Sequence, residues 1–217
     1  MSLLSCSLNP THGFHSTLST RIALNSPASD CSAFVLFALP PSIIIDRYEL
    51  LDRRLTFELW GESNLELPVF AADQSDTVLL LNVTPTVPHS SDAIVDTDIP
   101  VHARYGTPES GRSKYYRIEV PPPTCFWACP HPVDMSSPSS QPPVANSAML
   151  QPSTHFFVSP NAASTQSPSL EVPLGSLDDL PRVQAATTLV ILFAFLWLVY
   201  RSCILADALQ PRHLKEK

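Results

Sequence analysis

The stretch VQAATTLVILFAFLWLVY, residues Val183 to Tyr200, most constrains what this chain can fold into. It carries no charge, and as a helix it spans about 27 Å, close to the hydrocarbon thickness of an endoplasmic reticulum bilayer. Its Leu, Val, Ile and Phe side chains together favour spanning by about 3–5 kcal/mol. No amphipathic stripe runs through it, as one would through a helix at the surface of a water-soluble core. A single transmembrane helix over residues 183–203 is therefore expected.

The flanking charges set its orientation. Arg201, Arg212, Lys215 and Lys217 follow the apolar run, whereas only Arg182 immediately precedes it. The positive-inside rule places a short tail, 204–217, in the cytoplasm and the preceding residues in the lumen. Asn82-Val83-Thr84 agrees with this, being the one acceptor sequon of the chain, and makes Asn82 an N-glycosylation candidate. The opening MSLLSCSLNP has neither a basic n-region nor a long apolar h-region, so no ordinary cleaved signal is visible. A formal net charge of −7 leaves no basic face for a polyanion, which argues against nucleic acid as a partner.

Ahead of the anchor, residues 31–129 read as strands broken by turn chemistry. CSAFVLFAL is a short apolar run stopped by Pro40-Pro41, and SIIIDRYELL resumes with three isoleucines. RLTFELW alternates, with Leu55, Phe57 and Leu59 on one face, and TVLLLNVTPTV is another β-rich run whose prolines indicate a strand end or edge. IPVHARY and KYYRIEV both show period two around the polar loop GTPESGRS, which predicts an antiparallel pair. The fold class expected is all-β, a small β-sandwich-like domain, plus the C-terminal transmembrane helix. Residues 1–30 are expected to be a partly ordered N-terminal segment. Residues 130–180 are dominated by Pro, Ser and small side chains and read as a flexible tether, with a coil span of roughly 40 Å.

Two motifs invite chemistry. Cys125 to Cys129, CFWAC, lacks a second ligand pair among His89, His102 and His131, so no metal is expected there. Nor does it have the C-x-x-C spacing at a helix start that thiol redox chemistry uses. In an oxidising lumen the reading is a disulfide involving Cys31, Cys125 or Cys129; with Cys6 included, three full pairings remain open. Asp96-Thr97-Asp98 spells the D-x-D with which glycosyltransferases hold a metal and a sugar nucleotide, but an acidic turn before IPVHARY is the expected reading. No serine nucleophile can be matched to a base, and His12 and His15 read as ordinary polar residues. No catalytic residue, cofactor or metal is assigned.

The quoted stretches GFHSTLSTRI, LPPSIIIDRYELLD, IPVHARYGTPES, YYRIEVPPPTCFWAC and VPLGSLDDL, in this order before a lone C-terminal span, resemble the PIG-X family from about Gly13 to Tyr200. The most specific part is Asp46-x-Tyr48-Glu49-Leu50, then Pro100-x-His102-x-Arg104-Tyr105, then Phe126-Trp127-Ala128-Cys129. The resemblance implies a non-catalytic type I protein of the endoplasmic reticulum membrane, the accessory subunit of GPI mannosyltransferase I. By that resemblance it stabilises the catalytic subunit, PIG-M, which adds the first mannose to the GPI precursor. Cys129 and its aromatic neighbours resemble the family's closing strand, with Cys125 an extra beside them. Tyr105, Phe126 and Trp127 are the partner-interface candidates, because Trp and Tyr are enriched at binding hot spots; burial in the core is the alternative for Trp127 and Tyr105. The competing readings are an unrelated single-pass adhesion or cargo-binding protein and a small luminal glycosyltransferase.

Overall fold

In the stretch His15–Leu24 every second side chain is buried, Ser16, Leu18, Thr20, Ile22 and Leu24, and this alternation makes it a strand with one wet face. The computed structural model describes residues 1–24, 30–64, 66–85, 93–111, 114–131, 144, 147–150, 154–158 and 167–213. Its elements are β1 (Ser2–Asn9), β2 (His15–Leu24), β3 (Ser32–Leu39), β4 (Ile43–Ile44), α1 (Arg47–Asp52), β5 (Phe57–Trp60) and β6 (Thr77–Asn82). They continue with β7 (Ala93–Ala103), β8 (Tyr115–Glu119), β9 (Thr124–Cys129), β10 (His155–Val158), β11 (Ser169–Pro173) and α2 (Leu180–His213). The chain divides into a β unit, Met1–Thr107 with Ser113–Gly175, and a second unit, Pro108–Arg112 with Ser176–Lys217.

The β unit contains a four-stranded sheet ordered β1-β2-β7-β4, a five-stranded sheet ordered β10-β9-β3-β6-β5 and the pair β11-β8. All of these pairings are antiparallel. The main core takes Leu18, Ile22, Ile99 and Val101 from the first sheet, Val35, Phe37, Leu79 and Trp127 from the second, and Ile118, Leu170 and Val172 from the pair. A smaller cluster, Phe34, Leu80, Phe126, Leu150 and Phe156, covers the other face of the five-stranded sheet. This explains why β3 and β9 read as unbroken apolar runs: both of their faces are covered.

Several expectations are corrected. The antiparallel pair predicted for IPVHARY and KYYRIEV does not form. β7 pairs with β2 from Leu24↔Ala93 to His15↔His102, and β8 pairs with β11. Period two identifies the face a strand buries but not the neighbour that takes its hydrogen bonds. Residues 1–24, expected to be only partly ordered, supply two strands of the first sheet, while 25–29 lie outside the described residues. Within the expected tether, β10 pairs with β9, β11 pairs with β8, and Leu150 is buried; most of the rest of it lies outside the described residues. Its short apolar runs HFFV and SLEV are hidden in the sequence by the Pro/Ser background. Asp96-Thr97-Asp98 lies inside β7 and is no turn: Thr97 is buried and both carboxylates are exposed. In SIIIDRYELL only Ile43–Ile44 is strand, and α1 follows, with Asp46 Oδ1 accepting from the Tyr48 N–H at 2.8 Å as its N-cap.

In the second unit, Ser176 caps a 3-10 turn, Leu177–Asp179, and the Leu177 N–H donates to the Glu109 carbonyl at 3.1 Å. Helix α2 follows, with Pro181 in its first turn, where a missing N–H costs nothing. Its described side chains are exposed on every face, and Leu177–Ala208 is long and apolar enough to cross a membrane. The 34-residue helix continues through the expected tail to His213, a length of about 51 Å.

Candidate functional site

The loop between β5 and β6, residues 61–76, makes short-range bonds of its own, such as those from the Ala71 and Ala72 N–H groups to the Pro68 carbonyl, and Arg104 ties its first part to the rest of the domain. This residue follows β7 and is only 2% exposed. Its Nε donates to the Pro41 carbonyl at 2.9 Å, Nη1 to the carbonyls of Asn64 and Leu67 at 2.5 and 2.8 Å, and Nη2 to that of Glu62 at 3.2 Å. A planar guanidinium with five donors can satisfy several carbonyls at once, which a lysine cannot. Burial pulls its pKa below the ordinary arginine value and the Glu62 charge pulls it back up. Among the described residues no carboxylate pairs with it directly. The loop starts at Gly61, whose φ of 116° suits glycine, and where a Cβ would meet the Thr77 backbone at 3.0 Å.

Beside this clamp, α1 presents Glu49 to the end of β7. The Glu49 Oε2 lies 3.0 Å from His102 Nε2, and His102 Nδ1 lies 2.7 Å from Nδ1 of His15, its cross-strand neighbour on β2. One imidazole must donate and the other accept for that contact to hold. One residue further along, the Phe14 and Tyr105 rings pack at 4.6 Å between centroids. The Val69 N–H donates to the Tyr105 carbonyl at 3.3 Å, which brings the loop, and Phe70 next to Val69, alongside Tyr105. Tyr48 lines a depression with Ser63, Asn64 and Glu66 of the same clamped loop. Tyr48, Tyr105 and Phe70 are 77%, 65% and 68% exposed. Three exposed aromatic rings around one buried arginine form a surface suited to a protein partner, since large aromatic side chains dominate binding energy.

Of the aromatic candidates read from the sequence, Tyr105 belongs to this surface. Phe126 and Trp127 do not: β9 lies inside the five-stranded sheet and points them into the two opposite clusters, with 0% and 3% exposure. Phe126 stacks on Phe34 at 5.5 Å and meets Phe156 edge-on at 6.2 Å. Cys129 is bonded to Cys31, joining neighbouring strands β9 and β3. Cys125 is buried and free, as is Cys6, and burial pushes both thiols up to about 11. Asn82 is half-buried at the end of β6; its Oδ1 accepts from the Thr84 N–H at 2.9 Å, and Thr84 Oγ1 accepts from the Ala33 N–H at 2.8 Å. Asp98 accepts from Ser19 Oγ at 2.6 Å and Asp96 lies 3.7 Å from Arg21. Among the described residues, no group of three or more His, Cys, Asp and Glu side chains could hold a metal ion.

Arg104 and Asp46 are not among the site candidates expected from the sequence. Asp46 followed by Glu49 and two leucines is a helix-start signal, and it was available in the sequence. A lone arginine at the end of an apolar strand is the sign of the clamp, but the carbonyls it serves are 37 to 63 residues away.

The sequence model of the family described as PIG-X / PBN1 matches residues 11–203. The chain is 25% identical over 196 residues to protein pbn1 of Schizosaccharomyces pombe, covering 86% of this chain and 55% of that protein. It is 26% identical over 209 residues to Protein PBN1 of Gibberella zeae, covering 89% and 42%, and 27% identical over 196 residues to Protein PBN1 of Yarrowia lipolytica, covering 79% and 37%. The chain thus spans about half or less of the length of the curated relatives it matches. No solved structure matches it.

Proposed function

The chain belongs to the PIG-X / PBN1 family, which is linked to GPI-anchor biosynthesis, and from that premise we propose that it is the non-catalytic, stabilising subunit of GPI mannosyltransferase I. Its β unit faces the lumen of the endoplasmic reticulum, α2 anchors it in the membrane, and its partner is a PIG-M-type catalytic subunit that transfers the first mannose. The observation that carries this reading is the family match itself, which runs through the β unit and into α2. The aromatic surface around Arg104 supports it. Tyr48, Phe70 and Tyr105 are exposed beside a loop that the part-buried hydrogen bonds of Arg104 and the Val69–Tyr105 backbone bond tie down, so docking a partner costs little extra ordering of that loop.

The stabilisation works by mass action. A subunit that binds only the folded form of the catalytic chain lowers the population open to degradation. The Cys31–Cys129 bond supports a luminal placement, since disulfides persist in oxidising compartments. Asn82 is the glycosylation acceptor in this reading, modified before β6 closes around it.

Affinity purification of the tagged full-length chain from detergent tests the proposal: the catalytic mannosyltransferase should co-purify, and the chain alone should transfer no mannose. Mannosyl transfer by the isolated chain would overturn it. Protease treatment of sealed microsomes should spare the β unit, and digestion of that unit with the membrane intact would refute the orientation. An endoglycosidase-sensitive mobility shift, abolished in Asn82→Gln, would identify the acceptor.

A further inference from the structure

Among the described residues the five-stranded sheet ends at β5, with no strand beyond it. In the register of β5 with β6, the Asn82 N–H donates to the Thr56 carbonyl, so Thr56, Glu58 and Trp60 turn their backbone groups towards β6. Phe57 and Leu59 turn theirs the other way, away from the sheet, and among the described residues nothing pairs with them. An unpaired edge is a template for another strand.

The space beside this edge is shaped. A groove of about 700 Å³ runs along it, walled by Arg47 and Leu51 of α1 and by Leu55, Phe57 and Leu59. Glu58 also lines the groove. Its Oε1 accepts from the N–H groups of Ala148 and Met149 at 2.8 and 3.0 Å, but its Oε2 is buried and has no partner among the described residues. An orphaned carboxylate oxygen asks for a cationic donor, and one from outside the chain reaches it when the Glu58 side chain turns towards the groove as the partner docks. A second copy of this chain would answer poorly, because β5 paired with itself would bring two Glu58 side chains close together.

We propose that the edge of β5 is the docking groove for one extended, apolar segment of the catalytic subunit, which joins the sheet as a sixth strand and sets a lysine or arginine against Glu58. This rests on the accessory-subunit reading. Main-chain hydrogen bonds to Phe57 and Leu59 supply the affinity, and the wall formed by Leu51 and Leu55 selects apolar side chains. Arg47 at the rim has no carboxylate partner among the described residues and is free to meet an acidic residue flanking the segment. Because Tyr48 sits on the same short helix as Arg47 and Leu51, the groove is continuous with the aromatic surface described above.

The test uses the full-length chain in its native membrane. A benzophenone side chain is installed at Leu51, in the groove, or at Ile94, an exposed position on β7. Irradiation should link the Leu51 position to the catalytic subunit at least about tenfold more than the Ile94 position. The linked peptide should be an extended apolar segment carrying a lysine or arginine. Leu59→Pro removes the outward N–H of an edge strand together with part of a half-buried side chain that packs against the core, and in a chain that still accumulates it should weaken the adduct about tenfold. Equal linking from Ile94 and Leu51 while the catalytic subunit still co-purifies would overturn the groove and leave the accessory reading standing. So would an adduct peptide without a basic residue, or an adduct indifferent to Leu59→Pro in a chain that accumulates normally. If Leu59→Pro does not accumulate, the ratio between Leu51 and Ile94 decides alone. Failure of the catalytic subunit to co-purify with any variant would overturn both.

Discussion

The phenol of Tyr116 in β8 donates a 2.9 Å hydrogen bond to the carbonyl of Arg104, just past the end of β7. With the Arg104 N–H held by the Ser42 carbonyl at 2.8 Å, the residue is fixed at both backbone groups before its side chain acts. The guanidinium then closes the 61–76 loop, and the exposed aromatic surface depends on that closure.

Arg104→Ala should therefore lower the stability of the full-length chain by about 2–3 kcal/mol, since four part-buried carbonyls lose the donors that Arg104 gives them. Arg104→Lys should recover little of this, because one ammonium cannot reach all four carbonyls. Denaturant titration in detergent measures the loss, and limited proteolysis should show cleavage moving into the loop.

The Cys31–Cys129 bond closes a separation of 98 residues. Replacing both cysteines with alanine should cost about 3–5 kcal/mol. Chain trapped from cells with a thiol-blocking reagent should migrate as the oxidised form on a non-reducing gel. A fully reduced population at steady state would contradict the luminal placement.

Cys6 and Cys125 should resist alkylation in the folded chain. Burial raises both from 9.0 to about 11, so at pH 8 roughly 0.1% of each is thiolate. Folding favours the neutral thiol, so their contribution to stability is complete below pH 9 and is lost as the pH rises towards 11. Mass spectrometry after a maleimide pulse should find both unmodified at pH 8 and both modified in denaturant.

Asp96→Asn with Asp98→Asn should leave mannosylation and chain abundance close to wild type. Both carboxylates are exposed on β7, and such contacts are worth about 0–1 kcal/mol each. A loss of transfer activity at normal protein level would revive the metal-site reading of this D-x-D.

What was legible in the sequence was whatever depends on local patterning. The apolar helix shows in Leu189–Tyr200, and the β class shows in the alternation of Ile99, Val101 and Ala103 and of Ile118 and Val120, all of them buried. What was hidden was partner choice. β7 is long enough to run the length of β2, and nothing in its own residues says that β2 and not β8 lies beside it. For the site, Tyr105 was legible as an aromatic residue but not as an exposed one, because period two would have carried its side chain into the core. The strand stops at Ala103, and the turn of the chain through Arg104 breaks that period. Trp127 illustrates the converse. Its aromatic character suggested a contact surface, while the apolar run around it marked a strand covered on both faces.

The turnover of the catalytic subunit tests the stabilising role most directly. Its half-life would be followed by a synthesis block in cells lacking this chain, in cells with the wild-type chain restored, and in cells with Tyr48→Ala and Tyr105→Ala combined. The expected result is rapid loss without the chain, recovery with the wild type, and failure to recover with the double variant although that variant accumulates normally, its two substitutions being at exposed positions. An unchanged half-life in the absence of the chain would contradict the stabilising role.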